Sequence, residues 1–510
     1  MVPHSDQREF IQAILKDQSR LDAVFSEAIL TGVATVGEIA AWREPGRTKE
    51  EAIKSLLDRL EYRLPLVNIN SDIGLLSDIC HQTKFIRNEL PNPDLWRTVF
   101  SRLSIPLNEP VSVEYLKQGR CNYTYRICGG DQAYVIRYHD PIGKEFLQRH
   151  DPVRAVEIYG AVEELMRLCL GRDGVVSTLS STMYQTEATG GDIADVVASR
   201  SLIQRDYSDE YFALIDYGKQ QPEVQIETVI KLYARPLALL HSRSRNIYRR
   251  ERSPLDGDHL AHTFRRYRHF LRFVSPAQYG HWLNGPNWIS RRVLSGLKGT
   301  GNHPDTWSTL LDQLGMQRSQ FEQQCHNLWT RSAQAMACMG SLVHLDHNPR
   351  NCFVDRSTRT RIMIFDFDYV AITDPAYELG LSIYSLVKVI ITDKRRYSAE
   401  QILAHIELYL SCYEEYSALD SEALRIGIPE LPPEGRNELL TRARSFAGLA
   451  LASTLEEYDP YREVESENSA LTLRNAKQAL LHISANLLSS ISAVPAGLLD
   501  SHSISGHWDC

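Results

Sequence analysis

The spacing of apolar and polar residues predicts a mostly helical chain with one region of short β-strands near its middle. Residues 1–105 show helical periodicity, and so does most of residues 206–510. Between them, in residues 106–205, apolar residues alternate with polar ones in short runs, which is typical of strands. We therefore predict three parts: an N-terminal helical extension, a small β-rich part and a large helical part.

Proline and capping residues mark some of the predicted boundaries. Pro106 and Pro110 separate the first two parts. A helix is expected from Thr48 to Leu64, because it opens with Thr-Lys-Glu-Glu, a capping box. Within the large helical part, residues 245–335 form a long insertion with scattered Arg, Tyr and Trp, and short strands are expected around residues 352–372.

The β-rich part contains a predicted hairpin, with Gly129-Gly130 as its turn. Its second strand is the apolar run that ends at Arg137, and a further strand is expected at Ser201-Leu202-Ile203-Gln204. Between these strands, residues 151–170 have apolar residues at helical spacing.

Length, composition and charge restrict the class of protein and its partners. The chain has 510 residues, of which 43% are hydrophobic and 24% charged, as in ordinary globular proteins. The net charge of −8 argues against a dedicated nucleic-acid binder. We expect no membrane partner, because no apolar run has membrane-spanning length. The nine cysteines contain no C-x-x-C pair, and the N-terminus lacks a signal segment, which together predict free thiols in the cytoplasm.

The chemistry is concentrated between Val343 and Gly380. His344, Asp346 and Asn351 form H-x-D-x-x-x-x-N, and Asp366 follows an apolar run. This order suits phosphoryl transfer: one carboxylate lies near an acceptor hydroxyl, and an amide with a second carboxylate binds the metal on the nucleotide phosphates.

Two other interpretations of this segment stay open. His344, His347 and Cys352 are residue types that bind zinc, although no fourth ligand is nearby in sequence. Asp368 is either a second metal ligand or a hydrogen-bonding partner within the loop.

The sequences VHLDHNPRN at 343–351 and IFDFDYVAITDPAYELG at 364–380 resemble those of the aminoglycoside phosphotransferase and choline kinase superfamily. The resemblance implies an α+β, bilobal, protein-kinase-like fold with a small β-rich N-lobe and a large helical C-lobe. The N-terminal helical segment would be an addition to it. Leu345 stands where many members have Gly, and Glu378 replaces the usual Asp.

The resemblance also implies roles for individual residues. Asp346 is expected to be the catalytic base or the group that orients the acceptor hydroxyl. Asn351 and Asp366 are expected to bind Mg²⁺, and Asp368 is a further candidate ligand. Glu157 would pair with Arg137, which holds ATP phosphates, and Gln204 would lie in a hinge that meets the adenine. The residues predicted to bind the nucleotide are Gly119, Asn122, Arg137, Glu157 and Gln204.

The predicted function is an ATP- and Mg²⁺-dependent transfer of the γ-phosphate to a hydroxyl of a small molecule, such as an amino alcohol, a choline-like compound or an aminoglycoside. Two clusters of Glu and Tyr, around Glu414 and Glu456, could bind an amine, or they could be solvated helix ends. The alternative function is a catalytically silent nucleotide-binding scaffold with a protein partner.

Overall fold

The structure is a computed structural model that describes most of residues 85–494. Within this range it does not describe residues 87, 119–121, 140–141, 144–147, 150–151, 177–178, 180–191, 217–224, 254–255, 358, 392–396, 419–430 and 455–466, nor 274–303 apart from Ile289, Val293 and Leu297. The predicted helix at Thr48–Leu64 and Gly119 lie outside the described residues.

The chain divides into two compact units, which are described separately. The first comprises residues 1–160 and 177–206, and the second comprises residues 161–176 and 207–510. Their limits differ from the three predicted parts, and the predicted domain boundaries at 105 and 205 stay predictions.

The first unit has a four-stranded antiparallel sheet in the order β1-β2-β3-β6. Its strands are β1 (Val111–Gln118), β2 (Asn122–Gly129), β3 (Gln132–His139), β4 (Ile142–Gly143), β5 (Gln148–Arg149) and β6 (Ser201–Arg205). Its helices are α1 (Pro93–Arg102), α2 (Pro152–Leu170), which continues into the second unit, and α3 (Ile193–Ser199).

Sheet register confirms the predicted hairpin. Strands β2 and β3 pair from Asn122–His139 to Gly129–Gln132, so the turn residues are Gly130 and Asp131. The predicted turn at Gly129-Gly130 is therefore displaced by one residue, because Gly129 is the last residue of β2. Gly130 has φ of +62°, a conformation that glycine adopts without steric cost. Apolar side chains of α1 and of these strands form one core, in which Trp96, Phe100 and Tyr138 are fully buried.

The second unit is mainly helical. Its remaining helices are α4 (Ile226–Arg243), α5 (Ile247–Arg250), α6 (His259–Tyr267), α7 (Pro304–Leu314), α8 (Arg318–Met339), α9 (Pro375–Ile391), α10 (Ala399–Ala418), α11 (Pro433–Thr454) and α12 (Glu467–Leu488). Its strands are β7 (Tyr211–Ala213), β8 (Arg272–Phe273), β9 (Ser341–Val343), β10 (Cys352–Asp355), β11 (Ile362–Ile364) and β12 (Ala371–Thr373).

Two small sheets of this unit carry the polar motif. Their strand orders are β11-β10-β7 and β8-β12-β9. The motif residues lie in the connections between β9 and β10 and between β11 and β12, which are strands of both sheets. The strand pairing therefore fixes where the two loops that carry the motif residues begin and end.

Close packing of α9, α11 and α12 forms the support beneath these sheets. A Cβ atom on Gly380 would lie 2.6 Å from the Cβ of Phe446, and one on Gly448 would lie 2.7 Å from the Cγ of Leu488. Glycine at these two positions lets the helices approach closely. The predicted α+β fold class, with one β-rich and one mostly helical part, is confirmed. None of the described helices combines the length and the hydrophobicity needed to cross a membrane.

Candidate active site

The loop that carries Asp346 begins directly after β9. Leu345, the second residue after this strand, has φ of +60°. A side chain in this left-handed conformation costs about 1–2 kcal/mol, which glycine avoids. The backbone thus gives a physical reason for the glycine that the resemblance places here, and it shows that leucine occupies the same turn at a cost.

Two amide side chains hold the carboxylate of Asp346. Asn348 Nδ2 donates to its Oδ1 at 2.9 Å, and Asn351 Nδ2 donates to its Oδ2 at 2.7 Å. The same two amides also donate to the backbone oxygen of Asp346, each at 3.0 Å. The carboxylate is therefore oriented before any substrate binds.

Antiparallel pairing brings Asp366 to the same place. Cys352 of β10 pairs with Ile364 of β11, and the N–H of Phe365 donates to the backbone oxygen of Asn351 at 3.2 Å. Asp366 follows in a left-handed conformation, with φ of +70° and ψ of +62°. Asn351 and Asp366 thus lie side by side, one before β10 and the other after β11.

The electrostatics of Asp346 reflect this proximity. Burial raises the pKa of Asp346, and the negative charge of Asp366 raises it further, against the opposing effect of His344 and the two Asn side chains. Two neighbouring carboxylates with an amide oxygen form a hard, negatively charged donor set, which is what Mg²⁺ prefers. The three predicted residues are therefore brought together and fit the metal chemically.

Asp368 differs from these residues in exposure. It lies in the short 3₁₀ helix Phe367–Tyr369, and its side chain is exposed, whereas that of Phe367 is buried. Among the described residues, no group of three or more His, Cys, Asp or Glu side chains is arranged to hold a metal ion. Mg²⁺ commonly takes one or two protein carboxylates and completes its shell with phosphate and water, so one carboxylate with one amide oxygen is compatible with this metal.

The raised pKa of Asp346 gives a direct test in the free protein. We expect its carboxyl carbon to titrate above the ordinary value of 3.8 in a ¹³C NMR pH titration. In Asp366→Asn the titration midpoint should move down, because the neighbouring charge is gone. A midpoint that is the same in both proteins would show that the two carboxylates do not interact.

Glu378 anchors the start of the catalytic loop. Its Oε2 accepts from the N–H of His344 at 3.0 Å, and its Oε1 accepts from the N–H of Leu345 at 2.6 Å. His241 Nε2 donates to Oε2 at 2.8 Å, while His241 Nδ1 lies 2.9 Å from the hydroxyl of Tyr413. The sequence indicated only that Glu378 keeps the charge of the family's Asp, and it gave no sign of these partners.

These contacts determine the ionisation of Glu378. Burial opposes the charged form, but the hydrogen bond from His241 and the neighbouring imidazoles outweigh burial, and the pKa of Glu378 is lowered. A buried carboxylate with three donors is a fixed acceptor for the loop backbone. The Glu378 carboxylate therefore positions the catalytic loop by accepting hydrogen bonds from the loop backbone.

We expect His241→Leu to reduce the free energy of unfolding by about 1–3 kcal/mol at pH 7, because Glu378 and Tyr413 each lose a buried partner. The lowered pKa of Glu378 stabilises the fold above its unfolded-state pKa, and this contribution is lost as the pH falls through the folded-state value. Urea unfolding should therefore show the difference between wild type and variant narrowing below about pH 4.5.

His405→Leu is the matched control. His405 pairs at 3.6 Å with Glu227, whose side chain is 48% exposed. His405→Leu should reduce the free energy of unfolding by less than His241→Leu, and this reduction should not depend on the ionisation of Glu378. Equal, pH-independent losses for the two variants would contradict the role given to His241.

The two histidines of the motif are engaged with the backbone and the core. His344 Nε2 donates to the oxygen of Phe365 at 2.8 Å, and its Nδ1 accepts from the N–H of Asp346 at 3.2 Å, so that its ring braces the loop. His347 stacks on Tyr233 with a centroid distance of 4.5 Å, and burial lowers its pKa to about 4. With both nitrogens of His344 on backbone atoms, this arrangement does not support the zinc interpretation.

A buried ion pair fixes the start of α9. Asp374 accepts from Arg442 Nε and one terminal nitrogen, both at 3.0 Å, and from the hydroxyl of Ser332 at 2.5 Å. Its Oδ1 also accepts from the N–H of Ala376 at 3.2 Å, within the first turn of the helix. Asp374 thus links α8, α9 and α11 directly below Glu378.

The predicted nucleotide-binding residues lie in the first unit. Asn122 and Gln204 are buried on β2 and β6, and the guanidinium of Arg137 on β3 lies 5.8 Å from the ring centre of Tyr159. Glu157 accepts from Arg154, one turn earlier on α2, at 3.2 Å. The nucleotide-binding roles and the pairing of Glu157 with Arg137 stay predictions.

The predicted amine-binding cluster is described only in part. The hydroxyl of Tyr413 is hydrogen-bonded to His241, and Glu414 lines an open surface pocket together with Arg245 and Arg436. The second part of the cluster, around Glu456, lies outside the described residues. The amine-binding role stays a prediction.

Part of the chain matches a known protein family. Residues 210–419 match the model of the phosphotransferase enzyme family. This match includes the whole catalytic loop and confirms that this part of the chain resembles phosphotransferases, as the sequence motifs indicated. It supports a small-molecule phosphotransferase in general terms. No curated protein matches the chain.

Several solved structures are similar at low identity. A choline kinase from Cryptosporidium parvum is 12% identical, with a TM-score of 0.39, and the match covers 76% of this chain and 93% of that one. An ethanolamine kinase from Plasmodium vivax is 14% identical, with a TM-score of 0.36, covering 85% and 96%. An aminoglycoside phosphotransferase from Alicyclobacillus acidocaldarius is 10% identical, with a TM-score of 0.40, covering 76% and 94%.

Proposed function

We propose, from the premise that residues 210–419 match the phosphotransferase enzyme family, that this protein moves the γ-phosphate of ATP to a hydroxyl of a small molecule and requires Mg²⁺. The observation that carries the proposal is the orientation of the Asp346 carboxylate by Asn348 and Asn351, next to Asp366. This arrangement supplies a base and a metal site within one loop system.

Asp346 is the group that meets the acceptor. Its carboxylate can accept a hydrogen bond from the hydroxyl, orient that oxygen toward the phosphorus and take up the proton as the new bond forms. The raised pKa of Asp346 makes its carboxylate a better proton acceptor than an exposed one. Anchoring by Glu378 through His344 and Leu345 keeps the loop in place during this step.

Asn351 and Asp366 are the residues that would hold the metal. When bound with ATP, Mg²⁺ would offset the negative charge on the phosphate oxygens. Asn351 has a double function in this proposal, since its amide nitrogen orients Asp346 while its oxygen remains available to a cation. Asp366 supplies the charged ligand.

The test is ADP release from ATP with purified protein and a panel of hydroxylated amines, aminoglycosides, amino alcohols, sugars and nucleosides. We expect turnover that depends on the acceptor and disappears when Mg²⁺ is removed with EDTA. ATP binding without acceptor-dependent turnover across the panel would contradict the proposal and favour a catalytically silent scaffold.

A further inference from the structure

Residues 243–273 are strongly basic in an acidic protein. This segment contains nine arginines and three acidic residues, an excess of six positive charges, whereas the whole chain has a net charge of −8. It includes α5, α6 and the 3₁₀ helix Arg268–Phe270, and it ends with β8. Such a local reversal of charge creates a positive potential at this surface.

Two of the three acidic residues are buried and already paired. Asp258 accepts from two nitrogens of Arg250, at 2.7 and 2.9 Å, and Glu251 accepts from Arg268 at 2.6 Å. Asp256 is exposed and is the remaining acid of the segment. The buried carboxylates therefore organise the fold of this segment rather than neutralise its outer surface.

Several arginine side chains remain exposed. Arg265 donates from Nε and one terminal nitrogen to the backbone oxygen of Glu251 rather than to a carboxylate, and the guanidinium of Arg266 lies 5.0 Å from the ring centre of Tyr267. Tyr267 is also hydrogen-bonded to Glu164, an exposed residue of α2. We call Arg265 and Arg266 the arginine surface.

Strand β8, which follows this surface along the chain, pairs in the sheet that carries the catalytic loop. Ala371 of β12 pairs with Arg272 of β8 in parallel and with Val343 of β9 in antiparallel fashion. The start of β8, the start of β12 and the end of β9 therefore lie at one edge. Arg265 and Arg266 precede Arg272 by seven and six residues, and Asp346 follows Val343 by three.

We propose that the arginine surface binds an anionic group of the acceptor, so that the substrate is a small hydroxylated molecule carrying a phosphate or a carboxylate. This inference rests on the proposed phosphotransferase function and narrows its acceptor. The planar guanidinium matches both anions through paired hydrogen bonds. A cationic amino alcohol would be repelled at this edge.

The transfer step remains the one proposed above. The acceptor oxygen forms a bond to the γ-phosphorus while the bond from that phosphorus to the bridging oxygen of ATP breaks. ADP leaves with the electron pair of the broken bond, and the hydroxyl proton passes to Asp346. The arginines contact the anionic group of the acceptor and take no part in bond making.

The experiment compares acceptors that differ in charge: glycerol, glycerol 3-phosphate, glycerate and ethanolamine, each assayed by ADP release with Mg²⁺-ATP. Proteins to compare are wild type, Arg265→Gln, Arg266→Gln and, as a control, Arg318→Gln, an exposed helix arginine that pairs with Glu322. We expect preference for an anionic acceptor and a rise of about tenfold in its KM in each of the first two variants, with Arg318→Gln unchanged. The phosphate and the carboxylate compounds identify which anion is used.

The outcomes separate the two proposals. Turnover of glycerol or ethanolamine that is insensitive to Arg265 and Arg266 would overturn the inference and leave the phosphotransferase proposal intact. If none of the acceptors is phosphorylated, calorimetric titration with glycerol 3-phosphate tests whether the arginine surface binds an anion. Binding that is lost in Arg265→Gln but not in Arg318→Gln would support an anion site while the proposed function fails, and binding unaffected by either would overturn the inference. Arginine-dependent binding of RNA or of phosphatidylserine vesicles, without binding of the small anions, would also overturn it.

Discussion

Asp346→Asn is expected to lower kcat by about 10²–10⁴-fold while leaving ATP affinity unchanged, since the substitution removes the proton acceptor and keeps the size of the side chain. The change also disturbs a local network. Asn348 and Asn351 both donate to the carboxylate, so an amide at position 346 would present a donor to one of them. Acceptor-dependent ADP release and ATP titration of the same preparations measure the two effects.

Asp312→Asn is the matched control, because Asp312 is an exposed carboxylate on α7, away from the motif in sequence. It should retain wild-type turnover. If Asp346→Asn keeps more than about a tenth of the wild-type kcat, then Asp346 is not the acceptor-facing base. Loss of ATP affinity together with kcat would instead indicate that the loop has lost its conformation.

The site residues that lie close to one another in the sequence could be predicted. Asp346, Asn351 and Asp366 are separated by short loops and one hairpin, so strand pairing of neighbouring segments brings them together. The strand that ends before Asp366 and the hairpin turn at Gly130 follow from local alternation and turn composition in the same way.

The supports of the loop could not be predicted, because they depend on contacts between distant segments. His241 and Glu378 are separated by 137 positions and meet only after α4 and α9 pack beside the loop. Neither the hydrogen bonds from His344 and Leu345 nor the buried state of the carboxylate leaves a periodic signal in the sequence.

Helix α9 connects stability to the position of the catalytic loop. Asp374, the residue before its first turn, binds α11 through Arg442, and Glu378, in its first turn, binds the backbone at the start of the loop. A displacement of this turn would move Glu378 and with it the loop that presents Asp346. The ion pair is therefore expected to matter for activity as well as for folding.

Arg442→Met should reduce the free energy of unfolding by about 3–5 kcal/mol, since both members of the pair are fully buried and Asp374 would keep an uncompensated charge. Urea denaturation at pH 7 measures this loss. Arg442→Met combined with Asp374→Asn should recover part of it, because no unpaired charge remains and the Asn oxygen still accepts from the N–H of Ala376.

The control for this prediction lies two residues further along the same helix. Arg444 makes two hydrogen bonds to Glu407, at 3.1 and 2.7 Å, but Glu407 is 57% exposed. Arg444→Met should therefore change the free energy of unfolding by no more than about 1 kcal/mol. Similar losses for Arg442→Met and Arg444→Met would mean that burial of the first pair does not determine its contribution, and the link between α11 and the catalytic loop through Asp374 would then lose its energetic basis.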